Sequence, residues 1–193
     1  MALVDRVKAI LLNPRTEWAV IESEPATPAS LYKGYAVPLA AIPAIAGLIG
    51  LTVFGVSFVG MRVTLGFGDA LAGAAVRFVG ALLGVYVLAL IIDALAPSFG
   101  GQKNSTQALK VAVYSSTASW LAGVFLIIPS LGVLSVLGLY SLYLLYLGLP
   151  QLMKSPADKA LVYTVVVVVC GVVIFLLVGM LVGRVMGYPG LRP

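Results

Sequence analysis

The chain contains no histidine, and its one cysteine is Cys170. The first absence excludes imidazole metal sites and any Ser-His or Cys-His nucleophilic scheme, and the second excludes a disulfide framework. Charge is scarce as well. Only 10% of residues are Asp, Glu, Lys or Arg, against about 25% in a soluble domain, while 61% are hydrophobic. The chain therefore reads as a non-enzymatic membrane protein, with the lipid bilayer as its first partner and with no catalytic residue, cofactor or metal site expected. The formal charge of +5 is scattered over loops rather than gathered in a stripe, so nucleic acid is not an expected partner.

What the chain has in abundance is long uncharged sequence. Crossing roughly 30 Å of hydrocarbon takes about 20 helical residues. Four runs lack any charge: Gly34 to Met61 (28 residues), Phe78 to Ile92 (15), Val111 to Met153 (43) and Ala160 to Gly183 (24). The third is too long for one crossing and breaks at Ile128-Pro129-Ser130-Leu131-Gly132. The second gains Ala70 to Val76 if Arg77 snorkels to an interface. The expected fold is an all-α polytopic bundle of five transmembrane helices, at about 35–60, 72–96, 107–128, 131–149 and 160–184. These form a domain over 35–187, after an N-terminal segment 1–34 and before a short tail 188–193.

In the N-terminal segment, Leu3, Val4, Val7, Ile10 and Leu11 recur at helical spacing beside Asp5, Arg6 and Lys8. That pattern predicts an amphipathic helix on the membrane or the bundle base, and its charges argue against a cleaved signal peptide. Asn13 caps and Pro14 opens a second helix carrying Trp18 and Ile21, which stops in Glu22-Ser23-Glu24-Pro25. Counting basic residues near span ends gives Arg6, Lys8, Arg15, Lys33, Lys103, Lys110, Lys154 and Lys159 on one side, against Arg62, Arg184 and Arg192, with Arg77 close by, on the other. The N-terminus is accordingly expected in the cytoplasm and the C-terminus outside.

Few residues carry candidate chemistry. Gly66-Phe67-Gly68-Asp69 matches a GxGD string of intramembrane aspartyl proteases, but its only partner, Asp93, lies 24 residues on. At 1.5 Å per helical residue that is roughly 36 Å, too far for a shared proton. Asp69 then simply starts a helix, with Arg77 two turns away. Asp93 needs a partner or water, and Lys103, Lys110 and Lys159 are the candidates, with an ion or proton path as the sharper alternative. Tyr140, Tyr143 and Tyr146 form a slanted stripe on span four. Tyr146 suits the interfacial aromatic belt, whereas the deeper Tyr140 is expected to face Tyr114, Ser115, Ser116, Thr117 or Ser119 of span three. That contact would make a polar seam, with Gly148-Leu149-Pro150 ending the helix. Ser155 and Asp158 suit a cap on span five, and Pro43 a kink in span one. Gly80 and Gly84, and Gly179, Gly183 and Gly187, are close-packing motifs for contacts inside the bundle or between copies of the chain.

Asn13-Pro14 with Trp18 and Ile21, Asp93-Ala-Leu-Ala-Pro97 and Phe99-Gly-Gly101, Tyr114-Ser-Ser-Thr117 with Trp120-Leu-Ala-Gly123, Leu139-Tyr140 to Gly148-Leu-Pro150, and Lys159 with Tyr163-Thr164 together resemble the prokaryotic Yip1-domain proteins. The resemblance runs from about residue 8 to 180 and implies a cytoplasmic N-terminal segment followed by five spans in a prokaryotic inner membrane. Eukaryotic relatives act in vesicle traffic with prenylated Rab GTPases. This sequence lacks their long N-terminal domain and Asp-Leu-Tyr-Gly-Pro motif, so a Rab partner is not expected. A scaffold or organiser working through helix and partner contacts is the expected function, at Asp93, Tyr114, Ser115, Thr117, Trp120, Tyr140, Tyr143, Tyr146 and Lys159. The alternative is a small transporter or channel using the seam between spans three and four.

Overall fold

The computed structural model describes residues 2–58 and 61–185, with the side chains of 56–63, 178 and 181–185 outside that description. Two short helices, α1 (Leu3–Leu12) and α2 (Pro14–Ser23), precede five helices long and apolar enough to cross a membrane. These spans are Pro28–Phe54, Phe67–Phe99, Ser105–Ile127, Pro129–Met153 and Ala157–Leu177, the last helix itself running on to Val185. The protein is thus an all-α polytopic bundle, to which a two-stranded antiparallel hairpin, β1 (Val56–Phe58) and β2 (Met61–Val63), is added between spans one and two.

Span one begins earlier than its uncharged run because Thr27 and Ser30 form a reciprocal capping box, each hydroxyl accepting from the other's backbone N–H. It ends earlier too. Gly55 takes φ 67°, a left-handed turn that stops the helix at Phe54 and feeds the hairpin. Span three is capped by Asn104, whose side chain accepts from Gln107 N–H at 3.1 Å. Its break falls at Ile128, extended at φ −113°, as the residue before Pro129 must be. Span four opens as an eleven-residue 3-10 helix, Pro129–Leu139, and becomes α-helical from Tyr140.

Two boundary expectations need correction. Pro150 does not end span four, which continues to Met153 and closes on a left-handed Lys154 (φ 56°). Proline removes only the bond to the carbonyl of Tyr146, and the buried Leu149, Leu152 and Met153 hold the last turn. Ser155 caps nothing: its hydroxyl is buried without a partner among the described residues, and Pro156 holds the N-cap position.

Close approach inside the bundle uses glycines other than the paired motifs. A Cβ on Gly50 would strike the carbonyl of Leu126, and one on Gly123 would sit 3.0 Å from Pro43 Cα, so spans one and three touch backbone to backbone. Pro43 is thereby seated against Gly123. A Cβ on Gly80, Gly84 or Gly179 would meet nothing within 4 Å, so of the two settings open to these motifs, inside the bundle or between copies of the chain, these three glycines do not take the first. Gly183's surroundings and Gly187 lie outside the described residues. Gly123→Ala should therefore lower the protein's melting temperature in detergent, by an overpacking cost of about 1 to 3 kcal/mol, while Gly84→Ala leaves it unchanged.

A candidate site where the N-terminal helices meet the bundle

Helix α1 reads as amphipathic, yet one of its charged residues is on the buried face. Arg6 is 5% exposed, whereas Val4, an apolar residue, is 59% exposed. The cause is two carboxylates brought back by the Asn13-Pro14 turn. One guanidinium nitrogen of Arg6 donates to Glu17, and another reaches both oxygens of Glu24 at 2.5 Å. Burial by itself would pull the Arg6 pKa down. The Glu24 hydrogen bond and the charges of Glu17 and Glu24 outweigh it and hold the pKa above its usual value. The same guanidinium lies 5.8 Å from the ring centre of Tyr114, adding a cation–π contact to span three.

A second tie fastens α2. Lys110, buried on span three, donates to the carbonyls of Ile21 (2.8 Å), Glu22 (3.3 Å) and Glu24 (2.6 Å), which are the orphan acceptors at the C-terminal end of α2. Lys154 pairs with Glu22, whose other oxygen accepts from Gln151 at 2.5 Å. Between these ties Trp18, 1% exposed, lies over Gly148 of span four, where a Cβ would be 2.7 Å from the indole. Arg6, Glu24, Tyr35 and Tyr114 line a polar pocket of about 200 Å³ beside the lock.

The Lys154 hydrogen bond, with help from Gln151 and the charges of Lys154 and Lys110, holds Glu22 below its usual pKa. The folded state thus binds this proton more weakly than the unfolded state does, so the contribution is complete above the unfolded value and fades as pH falls through the folded one. Acidification below about pH 4.3 should loosen α2, seen as faster backbone amide exchange at a matched intrinsic rate. Glu22→Gln should remove that component of the pH dependence.

Among the nine residues singled out from sequence, Tyr114, Ser115, Thr117 and Trp120 are buried on span three. Thr117 donates to the carbonyl of Tyr114 at 2.6 Å, which leaves its oxygen to accept from Tyr35 of span one at 2.8 Å. The Ser115 hydroxyl turns back to Ala112 at 3.3 Å. Tyr140 does not face these groups: its hydroxyl donates to the carbonyl of Leu11 in α1 at 3.0 Å, because α1 ends over this part of span four. Tyr143 rests on Tyr140 with ring centres 5.4 Å apart, and Tyr146 is partly exposed. No hydrogen bond joins the tyrosine stripe to Tyr114–Thr117 among the described residues; Ser119 and Ser141, 2.7 Å apart, link spans three and four instead.

Asp93 makes no ion pair among the described residues, so the expected pairing with Lys103, Lys110 or Lys159 is not formed. Lys110 is committed to α2, and the exposed Lys159 lies beside Gly100. Nor does Arg77 reach Asp69, since its guanidinium covers Gly47 of span one. Asp69 and Asp93 stand on one unbroken helix, Phe67–Leu95, so they form no dyad. Near Asp93, Phe99 stacks on Tyr163 of span five with centroids 4.7 Å apart, and the Tyr163 hydroxyl donates to the carbonyl of Ile92 at 2.5 Å.

Sequence reading missed the Arg6-Glu17-Glu24 lock and the capping role of Lys110. The signal available was the close placement of one cation and several carboxylates around the Asn13-Pro14 turn. No curated protein and no solved structure matches the chain. The Yip1 domain matches residues 8–180, from the middle of α1 to just past the fifth span in the last helix, and thus covers part of α1, all of α2 and the bundle. The protein belongs to the Yip1-domain family of membrane proteins.

Proposed function

We propose that the chain is a non-enzymatic membrane scaffold that presents α1 and α2 as a fixed surface to a membrane-protein partner. One observation carries this reading: the buried Arg6 ties α1 to Glu17 and Glu24 of the α2 segment and lies against Tyr114 of span three, while Lys110 of span three holds the end of α2, so both helices outside the spans are fastened to the bundle. An untethered amphipathic helix would slide on lipid, whereas this pair keeps a set orientation. Its outer side carries the exposed Asp5, Lys8 and Arg15. The excess of basic residues on this face supports a cytoplasmic N-terminus, an outside C-terminus and, with the family resemblance, a prokaryotic inner membrane. Gly80 and Gly84 offer a second contact face toward lipid, suited to a partner helix or another copy of the chain. A Rab GTPase is not the partner proposed. The cavity beside spans three and four is lined by Ala118, Leu121, Ala122, Phe125 and Leu137 with Tyr140, an apolar wall that gives a charged solute no ligands and favours the scaffold over transport.

A photoreactive residue at Lys8, irradiated in native membranes, should give a discrete protein adduct that disappears in the Arg6→Ala background. Smeared lipid adducts alone, or solute flux by the purified protein in liposomes, would overturn the proposal.

A further inference from the structure

Asp93 is unusual among the charged residues of this chain. Its Oδ1 is fully buried, and no protein group donates to it among the described residues. Oδ1 is closed off, but the other oxygen, Oδ2, is not buried and accepts no hydrogen bond from the protein among the described residues either, so the carboxylate lacks a donor where a charge at a membrane interface needs one. Asp93 lines a pocket of about 130 Å³ between spans two and three, shared with Tyr86, Ala89, Leu90, Ser105 and Thr106.

We propose that this pocket binds one ammonium group, delivered by a phospholipid headgroup. Sign, size and access each point there. A carboxylate repels phosphate and attracts a cation, and the hydroxyls of Ser105 and Thr106 accept further N–H donors. The volume suits a headgroup amine and falls below the roughly 300 Å³ of sites that hold larger metabolites. Tyr86 is 51% exposed and Leu90 50% exposed, so the mouth is on the outer surface of the bundle, where an aromatic ring can face a cation and acyl chains can lie alongside. The lysines that would otherwise neutralise Asp93 are elsewhere, with Lys110 spent on the carbonyls of α2.

The test uses the full chain in nanodiscs of phosphatidylglycerol, with or without phosphatidylethanolamine, and native mass spectrometry of the retained lipid. A charge-assisted hydrogen bond predicts about tenfold preferential retention of one phosphatidylethanolamine. Asp93→Asn should lose this preference, and Asp158→Asn, an exposed carboxylate away from the pocket, should keep it. Free ethanolammonium separates the two sources of the amine. Displacement of the lipid at millimolar concentration would show that the pocket takes the amine without its acyl chains, and failure to displace would show that it needs them; the ammonium assignment stands in both cases. Equal retention of the two lipids by the parent protein, or an unchanged preference in Asp93→Asn, would overturn it. Should that variant not fold, the parent protein still decides. A hydrophobic carbodiimide should label Asp93 in phosphatidylglycerol discs about tenfold faster than in discs containing phosphatidylethanolamine, and equal labelling would contradict the proposal.

Discussion

Arg6→Ala should release α1 from α2 and span three, so that trypsin cleaves after Lys8 about 100-fold faster than in the parent protein, while α2 stays held by Lys110 and Trp18. The Glu17 side chain is only 9% exposed, and truncating its partner leaves a buried charge uncompensated. Such a loss costs about 3 kcal/mol. At 1.4 kcal/mol per tenfold, that raises the population of the open form roughly 100-fold, and cleavage follows this population when closing is fast. Removing both charges should be milder than removing one. Arg6→Met combined with Glu17→Met is expected to recover most of the resistance, because an apolar pair of similar volume leaves nothing to desolvate. Cleavage of Arg6→Ala at the parent rate would mean that the lock does not hold α1.

Trp18→Ala is the second large effect. The indole is 1% exposed, fills the space over Gly148 and meets the Tyr114 ring edge-on at 6.4 Å. Its removal should cost about 3 to 5 kcal/mol, read as a lower melting temperature in detergent and as early loss of α2 protection. Trp18→Phe should cost much less. The indole Nε1 has no hydrogen-bond partner among the described residues, so the residue acts through its shape rather than its polar atom. Fluorescence gives a direct readout, since the only other tryptophan is Trp120. In a Trp120→Phe background, Trp18 emission should be blue-shifted and shift to the red when α2 detaches.

The five spans were legible because hydrocarbon imposes a simple rule: about 20 uncharged residues make a crossing. The break before Pro129 was equally plain, as proline restricts the residue that precedes it. What escaped was wherever long-range chemistry overrode local pattern. Arg6 reads as the polar face of α1 until the turn at Asn13-Pro14 returns Glu17 and Glu24 to it. Lys110 reads as an interfacial charge, but it caps the end of α2 across the structure. Tyr140 reads as a partner for span three because a buried hydroxyl needs an acceptor, and the acceptor is the carbonyl of Leu11, 129 residues away in sequence. Glycine motifs left their partner open in the same way. Gly80 and Gly84 have GxxxG spacing and no neighbour, while Gly50, Gly123 and Gly148 lack that spacing and carry the close contacts. Spacing reports which residues share a helix face, and only the packing shows what that face meets.

The most direct test of the docked platform is backbone hydrogen exchange of the parent protein in nanodiscs at neutral pH, followed over α1 and α2. Docking by Arg6, Lys110 and Trp18 predicts that amides from Ile10 and from Trp18 to Ile21 exchange at least 100-fold more slowly than in a free peptide, since about 3 kcal/mol of docking must be lost to open them. Exchange of both helices at the free-peptide rate would contradict the account.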